Sequence, residues 1–376
     1  MVYKEFGKTG IKLSSLGFGA MRFPEIFDDN GKFVSIDEEK SIPMMHKAFE
    51  LGVNYIDTAP AYVHSKSEAM VGKALKGWRD KVYLSTKNGM DDASYDKWMK
   101  KLENSLKELD TDYIDFYHMW GIGLEAFKTK VDVKGGPIDA AFKAKEQGLI
   151  KHISFSFHDK PENMREIVDS GYFESVLMQY NLLDRANEEN IAYCNEKGLG
   201  VVIMGPVAGG RLGEPSKEIQ DMMNGKSKST AECALRFVLA NPGVNIALSG
   251  MSKMEEVIEN AATASIEGPL TADELQKVAG SLSENKRLAE LYCTGCDYCL
   301  PCPQEINISR AFRAMNYHKV YGLTSLAKTE YSHIVVHDKK KQADACVECG
   351  QCESKCPQKI EIIKQLKETH EALHAL

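Results

Sequence analysis

The chain has 376 residues, of which 43% are hydrophobic and 27% charged, the balance of a globular protein rather than a disordered one. This length allows one large core with a smaller module, or two ordinary domains. A formal net charge of −7 argues against a general nucleic-acid binder, which needs a basic face for phosphates. No apolar run approaches the roughly 20 residues that span a bilayer, so no membrane partner is expected. The first twenty residues lack the apolar stretch after a basic start that marks a secretion signal, and the expected location is cytoplasmic.

From the start to about residue 265, short apolar runs alternate with helix-like stretches. Eight runs read as strands: SLGFGA (15–20), NYIDTA (54–59), VYLSTK (82–87), YIDFYHM (113–119), KHISFSF (151–157), SVLMQYN (175–181), LGVVIMGP (199–206) and NIALSG (245–250). Their Val, Ile, Leu and aromatic content suits strands buried on both faces. Between them, 41–52 places Met44, Met45, Ala48 and Phe49 on one side and stops at Gly52. The stretch 97–110 spaces Met99, Leu102, Leu106 and Leu109 by three or four residues, as an amphipathic helix does. Eight β-then-α units predict an α/β protein built on a (β/α)8 barrel. The rival, an open doubly wound sheet, usually shows a G-x-G-x-x-G turn after its first strand, and none is present. The segment 268–288 carries a Thr-x-x-Glu capping pattern before a helical stretch and leads to a mostly helical C-terminal region. The expected division is a barrel over 1–282 and a second domain over 283–376.

The ten cysteines are unevenly placed. Cys194 and Cys233 are isolated and read as small buried hydrophobes, while eight lie after residue 292. In a long chain without a secretion signal, such crowding points to metal ligation rather than disulfides. One run gives Cys293, Cys296, Cys299 and Cys302 before Pro303; the other gives Cys346, Cys349, Cys352 and Cys356 before Pro357. The second resembles the C-x2-C-x2-C-x3-C-P run of bacterial dicluster ferredoxins, in which the fourth cysteine ligates the other cluster. That resemblance implies two 4Fe–4S clusters, one on Cys293, Cys296, Cys299 and Cys356, the other on Cys346, Cys349, Cys352 and Cys302. The first run departs from the pattern, with two residues rather than three before Cys302. Zinc is the competing reading, but zinc sites normally use separate CxxC pairs rather than continuous triplets ending in Cys-Pro.

Asp57, Tyr62, Lys87 and His118 fall at or just beyond the ends of the second, third and fourth strands, where barrels build their active sites. Together with the opening FGKTGIKLSSLGFGAMRF and DFYHM, these residues make the first 265 or so resemble an aldo/keto reductase. With the cysteine module, the whole resembles the iron–sulfur branch of that family. The resemblance implies Tyr62 as acid/base, Lys87 lowering its pKa, Asp57 pairing with Lys87, and His118 orienting a carbonyl oxygen. Moving a phenol from near 10 by about 3 units takes roughly 4 kcal/mol, within reach of a close cation in a dry pocket.

The same resemblance implies a nicotinamide cofactor and a small carbonyl or alcohol substrate. Ser156 and Gln179 match carboxamide ligands, but Phe157 and His158 stand where an asparagine is usual. Met204 takes the place of a stacking tyrosine. In the phosphate region Gly250, Ser252, Lys253 and Asn260 remain, and Glu256 replaces an arginine that meets the 2′-phosphate. A carboxylate there favours NADH over NADPH, although Lys253 offers a compensating cation. The clusters imply a one-electron carrier of ferredoxin or flavodoxin type as partner, with no sequence evidence for the flavin that commonly bridges hydride and single-electron chemistry. A second reading makes the barrel a non-catalytic scaffold that docks the ferredoxin module to a redox partner.

Overall fold

A computed structural model describes every residue except 91–93, 214, 223–226, 282–298, 357–359 and 375–376. The chain forms two compact units, one of Met1–Gly210 with Ala234–Leu270, the other of Arg211–Cys233 with Thr271–Leu376.

The first unit is the expected barrel. Its strands are β1 (Leu16–Gly19), β2 (Tyr55–Asp57), β3 (Tyr83–Gly89), β4 (Ile114–Ile122), β5 (Ile150–Phe157), β6 (Ser175–Gln179), β7 (Gly200–Met204) and β8 (Ile246–Gly250). They close in parallel in sequence order, β8 pairing with β1 through Leu248 and Gly17. Helices α1 (Glu38–Glu50), α2 (Ser67–Ala74), α3 (Tyr95–Glu108), α4 (Pro137–Glu146), α5 (Met164–Asp169), α6 (Glu188–Lys197), α7 (Thr230–Ala240) and α8 (Met254–Thr263) follow the strands in turn. In α1, Met44, Met45, Ala48 and Phe49 are buried as expected, and the helix starts three residues earlier than its pattern suggested because Asp37 caps it by accepting from Lys40 N. In α3 the buried residues are Trp98, Leu102 and Ser105, with Leu109 at the cap; Met99 and Leu106 are only partly covered. Leu102 and Leu109 belong to the expected stripe, but the larger Trp98 turns the helix so that it and Ser105, rather than Met99 and Leu106, complete the buried face.

Two antiparallel hairpins decorate the barrel. The first, Tyr3–Glu5 with Lys12–Ser14, brings Phe6 into a core with Leu13, Tyr55, Phe116, Leu177, Val202 and Ile246. Phe6 meets Phe116 edge-on at 5.1 Å between centroids. It fits because residue 200 is glycine; a Cβ there would lie 2.5 Å from Phe6 Cζ. The second hairpin, Glu25–Phe27 with Phe33–Ile36, was not anticipated. Its turn is built by Asp28, whose carboxylate accepts from Asn30 N and Lys32 N, with Gly31 at φ +73°.

In the second unit, α9 (Ile308–Tyr321), α10 (Thr324–Val336) and α11 (Ile362–Leu373) bury Ile308, Phe312, Ala327, Ile334, Ile362 and Leu366 in a core of their own. Arg310 pairs with Asp338 and, at 3.1 Å, with Glu330. Tyr331 Oη accepts from Ala343 N at 2.9 Å and so holds the approach to Cys346. The capping pattern at 271 is real: Thr271 Oγ1 accepts from Glu274 N, and the Glu274 carboxylate accepts from Thr271 N. The part of that segment beyond 281, with Cys293 and Cys296, lies outside the described residues. Cys194 and Cys233 are fully buried. No helix among the described residues is long and apolar enough to cross a membrane.

Candidate functional site

The parallel register sets the site. Asp57 ends β2 opposite Ser85, and Lys87 lies opposite His118 across the β3–β4 pair. In a strand every second side chain shares a face, so Ser85 and Lys87 point one way and Thr86 and Asn88 the other. Lys87 Nζ donates to Asp57 Oδ1 and to the Thr58 carbonyl (2.7 Å). Ser85 Oγ donates to Asp57 Oδ2 at 2.7 Å and lies 2.9 Å from His118 Nε2. None of Asp57, Ser85, Lys87 and His118 exceeds 1% exposure.

Tyr62 sits beyond β2 with Lys87 Nζ 4.7 Å from its ring centroid and the Trp120 ring edge-on at 6.0 Å. The loop that holds it is unusual: Val63, His64 and Ser65 are consecutive non-glycine residues in the left-handed region, at φ 47°, 53° and 60°. Such backbone costs of order 1–3 kcal/mol per residue and persists only when neighbours fix it. Here His64 stacks on Phe33 of the second hairpin at 4.0 Å and pairs with Glu25 at 3.7 Å. Beside β3 opens a cleft of about 590 Å³, walled by Lys87, Asn88, Glu68, Ser105 and Trp120 among others.

Burial alone would lower Lys87, but the Asp57 carboxylate and the Tyr62 phenol hold it above its ordinary value. Burial raises Tyr62; Lys87 pulls it down, as expected, without offsetting the burial, so the net direction is upward. His118 is pushed down to about 4, chiefly by burial. Its imidazole is neutral at pH 7.

The residues expected at a nicotinamide line the ends of β5 to β8. Ser156 is buried, its hydroxyl accepting from Gly121 N at 2.8 Å. Phe157 is buried and offers no donor to a carboxamide. Gln179 and Met204 are register partners, both partly exposed. Gly205, at φ +62°, leaves a hollow beside Gln179, since a Cβ there would stand 2.8 Å from Gln179 Oε1. Gly250 lies against the Arg22 side chain. Glu256 turns back on the start of its own helix, α8, where its carboxylate accepts from Ser252 N (2.7 Å) and Lys253 N (3.2 Å). Asn260 Nδ2 reaches Ser249 Oγ at 3.2 Å and is buried with it.

In the second unit, one cavity is lined by Cys299, Cys302, Cys346, Cys349 and Cys352. Cys299, Cys302, Cys346, Cys352 and Cys356 also pack on the helical core. Thus Cys302, despite its shortened spacing, shares a cavity with the first three cysteines of the second run. Sequence reasoning missed Ser85, Thr58 and the second hairpin. Ser85 was recoverable from its two-residue offset from Lys87, and the hairpin from Asn30-Gly31.

Comparison with known proteins gives two matches in tandem: an aldo/keto reductase family model over residues 15–282 and a 4Fe-4S dicluster domain model over 292–361. The uncharacterized oxidoreductase YqkF of Bacillus subtilis is 28% identical over 307 residues, covering 73% of this chain and 94% of that protein. L-galactose dehydrogenase of Arabidopsis thaliana is 29% identical over 285 residues, covering 69% and 86%. The holo-form structure of the aldo-keto reductase AKR11C1 from Bacillus halodurans superposes with a TM-score of 0.63 at 29% identity, over 74% of this chain and 96% of that one.

Proposed function

The chain belongs to the aldo/keto reductase family, as an oxidoreductase with a 4Fe-4S dicluster domain, and on that premise we propose that it interconverts a small carbonyl compound and its alcohol with a nicotinamide cofactor. The observation that carries the reading is the buried Lys87–Asp57 pair beside Tyr62. A buried ion pair contributes little net stability, and replacing one with apolar groups is often neutral or stabilising. Its presence at the strand ends of a barrel is therefore an argument for chemistry.

Reduced nicotinamide, when bound, supplies the hydride. Tyr62 Oη gives its proton to the carbonyl oxygen as charge develops there, and the phenolate left behind is stabilised by the Lys87 ammonium. Asp57 keeps that lysine charged and in place. His118, neutral and held at 2.9 Å from Ser85 through Nε2, is assigned to orient the same oxygen. In the direction of alcohol oxidation, the phenolate takes the proton back.

The residues present suit the cofactor. Ser156 and Gln179 would hold the carboxamide, with the hollow at Gly205 leaving space next to the glutamine, and Met204 would pack on the ring. Gly250, Ser252, Lys253 and Asn260 would meet the phosphate end. Because Glu256 already occupies the amides at the start of α8, an additional 2′-phosphate would meet a carboxylate, which supports NADH over NADPH.

In the second unit the thiolates suit iron–sulfur cubes. Cys302 with Cys346, Cys349 and Cys352, which line one cavity together with Cys299, would hold one; the cysteine pattern assigns Cys293, Cys296, Cys299 and Cys356 to the other. We assign these clusters to exchange of single electrons with a ferredoxin or flavodoxin-type carrier in the cytoplasm, and place the domain division at residues 282 and 283. The test is Tyr62→Phe, which should retain nicotinamide binding and iron content while carbonyl turnover falls at least about a hundredfold. Unchanged turnover would sink the acid/base assignment.

A further inference from the structure

Tyr62 is carried by a loop that is fastened at both ends and propped at its tip. At one end Lys87 Nζ donates to the Thr58 carbonyl at 2.7 Å. At the other, the buried Ser67 hydroxyl donates to the Ala20 carbonyl at 2.6 Å and lies 2.7 Å from Thr58 Oγ1. The Tyr62 carbonyl accepts from Lys66 N (3.2 Å) and Ser67 N (3.3 Å). Between these fastenings Val63, His64 and Ser65 all stand in the left-handed region. None of the three is the glycine that such backbone favours, and a β-branched valine tolerates it least. The turn does not take this shape by its own preference, so contacts outside it must hold it. Val63 is buried, and His64 reaches the hairpin between β1 and α1. There its ring lies on that of Phe33, with centroids 4.0 Å apart and planes 24° from parallel, while Nε2 is 3.7 Å from Glu25 Oε2. The stack is the firmer hold, because the His64 side chain is 57% exposed and an ion pair at such a surface contributes little.

We propose that Phe33 is a positioning residue for Tyr62: by stacking on His64 it clamps the left-handed turn, and the clamped turn sets the phenol against Lys87. The proposal rests on the acid/base role given to Tyr62 above. Tyr62 directly precedes the turn, so relaxation of 63–65 toward ordinary backbone swings the segment that carries its ring. That ring has to stay beside the Lys87 ammonium, whose Nζ stands 4.7 Å from its centroid. A displacement of about 1 Å at a reacting group costs on the order of a hundredfold in rate. The hairpin is no part of the eight-stranded barrel, yet through one aromatic contact it serves the active site at one remove.

The experiment uses the full, iron-loaded chain and two readouts. Hydrogen–deuterium exchange, followed by mass spectrometry of the peptide spanning 62–70, reports how often the Lys66 and Ser67 amides leave the Tyr62 carbonyl. Steady-state kinetics with a carbonyl substrate report where the phenol stands. In Phe33→Ala, exchange in that peptide should rise about tenfold and kcat should fall about tenfold to a hundredfold, with KM changed by less than about threefold. Iron content and nicotinamide affinity should match the wild type. Phe33→Tyr, which keeps the stack, should restore both readouts. His64→Ala removes the same stack from the loop's side and should repeat both effects, and the double variant should be no worse than either single one. Unchanged exchange in Phe33→Ala and His64→Ala overturns the clamp. Faster exchange with kcat kept at the wild-type value overturns the positioning of Tyr62, and so does a kcat loss that Phe33→Tyr fails to restore. Exchange can be read in a protein that turns over no carbonyl at all, so failure of the proposed reaction and failure of the clamp are separate results.

Discussion

His118 carries a cost that pH exposes. Its pKa is pushed down to about 4 by burial, against the pull of Asp57 and with that of Lys87, from an ordinary value near 6.5. Above pH 6.5 the ring is neutral whether the chain is folded or not, and it leaves stability untouched. As pH falls below 6.5 only the unfolded chain takes up the proton, so the folded state loses ground until about pH 4, where the folded ring protonates as well. Between pH 7.5 and 5.5 this one group should remove about 1.4 kcal/mol of unfolding free energy. Urea unfolding at the two values should show that loss in the wild type and a smaller one, by about that amount, in His118→Gln. An identical loss in both proteins would mean that the ring is not held neutral.

At the scale of elements, β3 serves two faces at once. Ser85 and Lys87 work at the buried chain of polar groups, while Thr86 donates to Glu68 of α2 (2.7 Å) and Asn88 donates to the Trp98 carbonyl of α3 (3.0 Å). All eight strands were legible in the sequence because parallel strands buried on both faces read as continuous apolar runs. Asp57, Lys87 and His118 were legible because they interrupt such runs at their ends. What stayed hidden was what pattern alone cannot rank. On α3 the expected Met99 and Leu106 give way to Trp98 and Ser105 beside Leu102 and Leu109, and Glu256 read only as the replacement of a 2′-phosphate arginine, not as a cap. Its carboxylate closes the start of α8 by accepting from Ser252 N and Lys253 N. Glu256→Gln retains an acceptor for those amides and removes the charge. The ratio of NADPH to NADH affinity should then rise roughly tenfold, with stability within about 1 kcal/mol of the wild type. Binding titrations with each cofactor measure it, and an unchanged ratio would take Glu256 out of cofactor discrimination.

At the scale of the whole molecule, the proposed function joins two chemistries that count electrons differently. A nicotinamide exchanges a hydride, two electrons together, whereas each 4Fe–4S cluster passes one. The cysteine runs announced the second module from sequence, but which thiolate belongs to which cube is a matter of folding. The first run is one residue short before Cys302, so spacing left that ligand in doubt. The structure brings Cys302, together with Cys299, to the cavity lined by Cys346, Cys349 and Cys352, next to the helical core of Ile308, Phe312 and Leu366. If Cys302 completes the cube of the second run, Cys302→Ala should lower iron from about eight to about four per chain, leaving the paramagnetic signal of a single reduced cluster. Cys293→Ala should also halve the iron but leave the other cluster's signal, so the two variants should not look alike. Because cluster binding and folding of small metal modules are linked, both should also melt at lower temperature than the wild type. Iron analysis and electron paramagnetic resonance on anaerobically purified protein decide it: eight irons retained in Cys302→Ala would end the crossed assignment while leaving the barrel's chemistry untouched.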